Sequence, residues 1–314
     1  MDGFAAFGAG QRVTLKTRIP FSGVGLHSGR MIRAALGPAP SGTGVVFHRT
    51  DLGITVPALF DHVIDTRLCT MLAADGARIG TVEHIMAALA AAGIDDALIE
   101  LDGPEVPILD GSAEPFQFLI DCAGRGSNPG IPRAIRVLRP VRVAESDHPQ
   151  AAWAELLPGD MSGLDAEISI DFTAEAIGRQ TYRMRISTEG FRAELARART
   201  FTMAEDVTRL RAAGLALGGG LHNAVVVDGA QVLNPGGLRF TDEFVRHKLL
   251  DVVGDLALAG GRILGRFRGH RTGHALNNKL LHALLADRAN WAWTAAPAIA
   301  DGMSMPLAAV AAPA

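Results

Sequence analysis

One stretch, Thr241 to Gly261, limits what this chain can fold into more than any other. Phe244, Val245, Leu249, Leu250, Val252, Val253 and Leu256 cover most of the circumference of a helix, and a helix apolar on nearly every side belongs in an interior. Thr241 is placed to cap it, Asp242 and Glu243 fall in the first turn where the dipole favours anions, and Gly260-Gly261 stops it. Yet His247, Asp251 and Asp255 recur every four residues and project from nearly one face. Carboxylates buried beside an imidazole need a compensating charge or hydrogen bonds. A divalent metal held by His247 and Asp251 provides one, because i,i+4 is the spacing at which two helical side chains share an ion. A His-Asp ion pair on a half-exposed face is the competing explanation.

The 314 residues suffice for one large domain or two ordinary ones, and an apolar fraction of 48% allows a sizeable core. A net charge of −3 argues against general nucleic-acid binding. Two cysteines, Cys69 and Cys122, imply no disulfide framework and fit a reducing compartment. No signal-peptide pattern opens the chain, and no apolar run is long enough for a transmembrane segment. A cytoplasmic location is expected.

The first ten residues and the Ala/Pro-rich end from about Ala295 read as poorly ordered. Between them, RVTLKTRI, MIRAALG, GVVFHRT and RLCTMLA alternate as strands. TVEHIMAALAAAGID reads as a helix ending at Gly93, ALIELDG as a strand, and Glu114 to Cys122 as a second helix. Gly124 to Pro132 reads as a linker, with seven of nine residues Gly, Ser, Asn or Pro. The pattern then restarts with strands IRVLRPVRVAE, AAWAELLP, AEISIDF and TYRMRIS. STEGFRAELARA reads as a capped helix; later come the apolar helix, the strand RILGRFRG and a final helix from about His274 to Asp287.

EHIMAALAAAG-IDDALIELDG parallels RHKLLDVVGDLALAGG-RILGRFRG: histidine, helix, glycine, strand. This weak duplication predicts an α+β fold of two similar sandwich domains around a shared cleft. The expected division is 1–128, then 129–300, with a tail at 301–314. Met203 to Asn234 has no counterpart in the first half and reads as an insertion. Its apolar face serves either a satellite core or a wall for an apolar substrate chain.

Glu83-His84 opens the first-half helix. Adjacent residues point about 100° apart, so one can bind metal while the other serves a water beside it. His84, His247 and Asp251 would together leave one tetrahedral position open, as a catalytic zinc requires. A metal brings the pKa of its water toward neutrality, and Glu83 is placed to take the proton. His274 follows a glycine at a helix start, and Asp255 can orient it and keep it protonated, so that it stabilises an oxyanion or protonates an amine. Lys248 lies beside His247, and Thr200 follows ELARA; either can meet a developing oxyanion. Each of these residues taken alone also reads as an ordinary surface or locally bonded side chain. GVGLHSG, residues 23–29, fits neither dinucleotide nor P-loop spacing, and His27 within it has no assigned role.

Together TVEH (81–84), DGPEVPILDGSAEPF (102–116), RARTF (197–201), GLRFTDEFVRHKLLDVVGD (237–255) and GHALNNK (273–279) closely resemble the UDP-3-O-acyl-N-acetylglucosamine deacetylases, the zinc enzymes of lipid A synthesis. The resemblance runs from about Gln11 to Ala286. It implies two α+β domains with zinc between them, a small insertion in each, and a UDP-linked acylated amino-sugar as substrate. It further implies His84, His247 and Asp251 as metal ligands, Glu83 as general base, and His274 as general acid or cationic oxyanion stabiliser. Asp255 would orient that histidine, Thr200 would donate its hydroxyl to the oxyanion, and Lys248 would lie near substrate. Residues 203–234 would form the passage for the acyl chain, with Phe201, Met203 and Val207 against substrate. Many members read TFGF where this chain has Thr200 to Met203, so the mouth of the passage differs. A His/His/Asp set accepts Zn²⁺ and also Fe²⁺. A metal-dependent deacetylase of another amino-sugar is the alternative, and a silent binding protein the rival from another class.

Overall fold

The computed structural model describes residues 10–297. The first nine residues and the tail expected at 301–314 lie outside the described residues.

Two mixed sheets dominate. In the first half five strands lie side by side in the order Ile19–Val24, Met31–Pro38, Ala97–Leu101, Val45–Arg49, Ile54–Pro57. The second half has a seven-stranded sheet centred on Arg262–His270. Helix α1, Glu83–Ala91, feeds Ala97–Leu101, which runs parallel to Val45–Arg49 and antiparallel to Met31–Pro38. The long apolar helix, Glu243–Ala257, feeds Arg262–His270, which runs parallel to Arg133–Val137 and antiparallel to Trp153–Leu157. The weak repeat in the sequence is therefore a repeat of connectivity, and the class is α+β. Each half also carries a three-stranded sheet, one from Val63–Asp65, Met71–Ala74 and Ala77–Ile79, the other from Phe201–Met203, Val225–Asp228 and Gln231–Val232.

The remaining helices are α2 (Glu114–Ala123), a single turn α3 (Thr188–Gly190), α4 (Ala204–Ala212) and α6 (His274–Ala286); the apolar helix is α5. Helices α1 and α5 pack directly on one another, and α5 also rests on α6 and on strand Leu164–Asp171. Eight of the nine residues of α1 are buried. The close approach needs small groups: a Cβ on Gly254 would overlap the backbone carbonyl of Glu83. The two helices thus bring opposite halves of the chain into contact where the acidic and imidazole side chains sit.

Four local expectations are corrected. The polar segment 124–132 is not a free linker, since Arg125–Asn128 pairs antiparallel with Arg12–Leu15. Asn128 is held there by Asp96 and the Ala39 carbonyl, so buried polar partners supply what apolar periodicity lacks. IRVLRPVRVAE is two strands, broken before Val141 where Pro140 has no N–H to donate. STEGFRAELARA keeps its cap, the Ser187 hydroxyl accepting from Gly190 N–H, but continues as a wide π-type turn over Phe191–Leu195. Thr241 does not cap α5. The flanking residue is Asp242, whose carboxylate is drawn instead to Arg246 at 2.5 Å.

Candidate active site

The polar face of α5 is buried as deeply as its apolar one. His247, Asp251 and Asp255 are 1–3% exposed, and across the helix contact Glu83 and His84 are 4% and 3% exposed. The ligating atoms of His84, His247 and Asp251 lie within 4.8 Å of one another. Asp251 Oδ1 is 3.4 Å from His247 Nε2 and 3.7 Å from His84 Nε2. His247 Nδ1 donates to the carbonyl of Ala198 at 2.9 Å. A carbonyl only accepts, so the proton is on Nδ1, and Nε2 presents a lone pair toward Asp251.

These are not ion pairs. Burial, helped by His247, pushes His84 down to about 3, and burial holds His247 below its ordinary value, so both imidazoles are neutral near pH 7. Burial alone would raise the Asp251 carboxyl, yet His247 and Lys248 draw it well below the usual range. Lys248 Nζ donates to Asp251 Oδ2 at 3.1 Å. Asp251 Oδ1, buried and facing two imidazoles, has no hydrogen-bond partner among the described residues, nor does His84 Nδ1. An orphaned carboxylate oxygen between two nitrogen donors is what a divalent cation satisfies, so the donor set fits one.

A second cluster adjoins the first. His274, at the first position of α6, donates Nδ1–H to Asp255 Oδ2 at 2.8 Å. Its Nε2 lies 3.7 Å from Glu83 Oε1. Burial opposes the charged imidazole, but Asp255 and Glu83 outweigh it and raise His274 to about 10. Burial lifts Glu83 to about 7, against His274 and with Asp251 and Asp255. Near neutral pH this pair therefore holds a charged imidazole facing a carboxyl poised to gain or lose a proton.

Sequence reasoning passed over the residues that fix this cluster. Thr70 donates its backbone N–H to Glu83 Oε2 and its hydroxyl to Asp255 Oδ1, at 3.1 and 2.6 Å. Asn277 donates to Asp255 Oδ2 at 2.8 Å and accepts from the Thr272 hydroxyl at 2.9 Å. Asn277 was within reach, because it lies three residues after His274 on one helix face. Nothing in the pattern around Thr70 singles it out.

Thr200 precedes the strand Phe201–Met203. Its N–H donates to the Gly111 carbonyl and its own carbonyl accepts from Val225 N–H, both at 2.8 Å. The stretch is anchored from below, where Arg199 forms a buried ion pair with Glu243 at 2.8 Å. A cavity of about 750 Å³ opens beside His274 and is lined by Phe201, Met203 and Lys248. Arg67, Arg209, Arg271 and Lys279 add four more cations to its wall. Thr200 and Val207 do not line it. A separate cavity of about 470 Å³ joins Leu215 of the insertion to His27, Leu68, Cys69 and Met71 of the first half. First-half contributions to that wall were not anticipated. Both ring nitrogens of His27 are without hydrogen-bond partners among the described residues.

The comparisons with known proteins agree on one family. Residues 12–286 match the model of the UDP-3-O-acyl N-acetylglycosamine deacetylases. A UDP-3-O-acyl-N-acetylglucosamine deacetylase from Shewanella frigidimarina is 47% identical over 281 residues, covering 88% of this chain and 90% of the relative. Proteins of the same name from Acidithiobacillus ferrooxidans and Idiomarina loihiensis are 48% and 47% identical, each over 88% of this chain and at least 90% of their own length. The match spans every element that lends a side chain to the buried clusters, from Thr70 to Asn277, and the chain belongs to the UDP-3-O-acyl-N-acetylglucosamine deacetylase family.

Proposed function

We propose that this protein removes the N-acetyl group of UDP-3-O-(3-hydroxyacyl)-N-acetylglucosamine, releasing acetate and the free amine, as a step of lipid A biosynthesis. Family membership supports the reaction. The observation that carries the assignment of roles is the 3.7 Å approach of Glu83 Oε1 to His274 Nε2, immediately beside the His84, His247 and Asp251 donor set.

His84 and His247, both neutral, and the ionised Asp251 would hold a divalent ion, Zn²⁺ in the first instance and Fe²⁺ as an equally acceptable occupant. When bound, that ion supplies Lewis-acid polarisation of a carbonyl oxygen and acidification of a water molecule. Glu83 is the general base. Its Oε2 is occupied by Thr70 N–H, so Oε1 is the oxygen free to take a proton from the attacking water. His274 is the general acid. With Nδ1–H committed to Asp255, the proton it delivers to the departing nitrogen is on Nε2. Its positive charge also stabilises the oxyanion of the tetrahedral intermediate, with the Thr200 hydroxyl as a second donor. Asp255 keeps His274 charged and aimed. Lys248 shares Asp251 with the ligand set and faces the 750 Å³ cavity, where it would meet substrate. The five cations around that cavity suit a diphosphate. Phe201, Met203 and Val207, with the 203–234 insertion, are assigned to the acyl chain.

We assign residues 1–128 and 129–300 to two domains contributing Glu83 and His84 on one side and His247, Asp251 and His274 on the other. The reading carries a cytoplasmic location, and no helix among the described residues is long and apolar enough to cross a membrane. Acetate release from the UDP-linked substrate, with and without a chelator, tests the function; a panel lacking the acyl chain or the nucleotide tests specificity. Glu83→Gln or His274→Ala retaining wild-type turnover with metal still bound would remove that residue's role.

A further inference from the structure

Among the described residues, Thr70 is the one that hydrogen-bonds to both Glu83 and Asp255 and so joins the two proton-handling arms. It is 2% exposed and sits just ahead of the strand Met71–Ala74. Its N–H donates to Glu83 Oε2, its carbonyl accepts from Val82 N–H, and its hydroxyl donates to Asp255 Oδ1. Glu83 belongs to α1 and the first half of the chain, Asp255 to α5 and the second. Thr70 thus spends its N–H and carbonyl within the first half, on Glu83 and Val82, and its hydroxyl alone crosses to Asp255 of the second.

The division of labour on Asp255 makes the hydroxyl specific. Oδ2 already receives His274 Nδ1–H and the Asn277 amide. Among the described residues, Oδ1 receives the Thr70 hydroxyl alone. A carboxylate held on one oxygen rotates about its Cβ–Cγ bond, and the imidazole hydrogen-bonded to it turns with it. A carboxylate held on both oxygens fixes its plane and therefore the direction of His274 Nε2. Glu83 obeys the same logic, because Thr70 N–H on Oε2 leaves Oε1 directed at the reacting atoms.

We propose that Thr70 is a positioning residue that locks the general base and the Asp255–His274 acid into one rigid unit, without itself touching substrate. This rests on the roles given above to Glu83 and His274.

The test is Thr70→Val, which keeps the shape and the backbone N–H but loses the hydroxyl, compared with Thr70→Ser, which restores it. Metal-loaded Thr70→Val is expected to lose kcat by about 10- to 100-fold with KM within about threefold of wild type, the range typical for removing a supporting partner of a site residue. Its metal content and unfolding midpoint should match those of Thr70→Ser. Thr70→Ser should recover most of the loss. In protein labelled with ¹⁵N-histidine, the His274 Nδ1–H resonance should shift or broaden in Thr70→Val and return in Thr70→Ser. Should Thr70→Val fail to fold, Thr70→Ala against Thr70→Ser poses the same question of one hydroxyl. Equal kcat with and without the hydroxyl, or a loss tracking metal content, overturns the proposal. Glu83→Gln and His274→Ala belong in the same assay. If they stay active, the underlying roles fail; if they are inactive while Thr70→Val is not, only the Thr70 assignment fails.

Discussion

Gly254 of α5 lies against the backbone of Glu83 in α1, so closely that an added Cβ would come within 2.8 Å of the Glu83 carbonyl carbon and closer still to its oxygen. That contact sets the spacing between the helix that carries two proposed metal ligands and the helix that carries the third. Two effects compete in Gly254→Ala. Helix propensity favours alanine by roughly 1 kcal/mol. Overpacking against backbone, which cannot swing aside as a side chain can, costs about 1–3 kcal/mol. We expect overpacking to win, with a lowered midpoint in urea and weaker metal binding in the same variant. A more stable Gly254→Ala with unchanged metal affinity would show that the helices separate freely.

The Arg199–Glu243 pair joins the RARTF stretch to the start of α5. Glu243 is fully buried and accepts from the Arg199 and Arg239 backbone N–H groups as well as from the guanidinium. Burial alone would raise its pKa, but these donors bring it below the ordinary carboxyl value. A depressed folded pKa means that its contribution to stability is present above the unfolded value and lost as pH falls through the folded one. Removing one partner leaves a buried charge, so Arg199→Met should cost about 3–5 kcal/mol near neutral pH. Glu243→Gln in the Arg199→Met background should recover part of that loss. Urea titrations of the single and double variants near pH 7 and pH 4 check both the sign and the pH dependence. Because the Ala198 carbonyl next to Arg199 accepts from His247, metal affinity should fall with stability.

Metal removal tests the donor set without any assay of turnover. Asp251 Oδ1 has no hydrogen-bond partner among the described residues, so without an ion a buried carboxylate oxygen goes unsatisfied. An ion that binds only the folded state stabilises it by about 4 kcal/mol when present at roughly a thousand times its Kd. Chelation should therefore lower the unfolding midpoint, and Zn²⁺ or Fe²⁺ should restore it. Asp251→Ala and His247→Ala should respond to neither. A chelator-insensitive midpoint in the wild-type chain counts against a metal at this place.

Helix α5 was legible because its signal is dense: an apolar circumference interrupted at i, i+4 and i+8 by groups that cannot be buried unpaired. Glu83 and His84 gained meaning only from that helix and from the family resemblance, since adjacent residues carry no spacing information. The strand at Arg125–Asn128 was hidden because its stability comes from Arg12, Asp96 and Asn128 contacts across the chain, not from apolar alternation. Thr70 was hidden for a similar reason. Its partner Asp255 is 185 residues away, and a hydroxyl in a short strand-like run looks like any other. Thr241 misled because α5 begins one residue later than a capping threonine requires, flanked by Asp242, whose carboxylate goes to Arg246 and leaves the helix without a side-chain cap.

The pH dependence of turnover follows from Glu83 and His274 together. The working form has Glu83 ionised and His274 protonated. Activity should rise as Glu83, at about 7 without a metal, loses its proton, and fall as His274, at about 10, loses its own. A divalent cation beside Glu83 favours the carboxylate, so in the loaded enzyme the acid limb should lie below 7. Asp255 is the largest of the influences that raise His274, and burial opposes it. Asp255→Asn should therefore pull the alkaline limb toward or below the ordinary histidine value of 6.5, closing the window from the alkaline side and leaving little activity at pH 8. The check is kcat/KM for the metal-loaded wild type and Asp255→Asn across roughly pH 5 to 10.5. An alkaline limb unmoved in Asp255→Asn would assign that limb to a group other than His274.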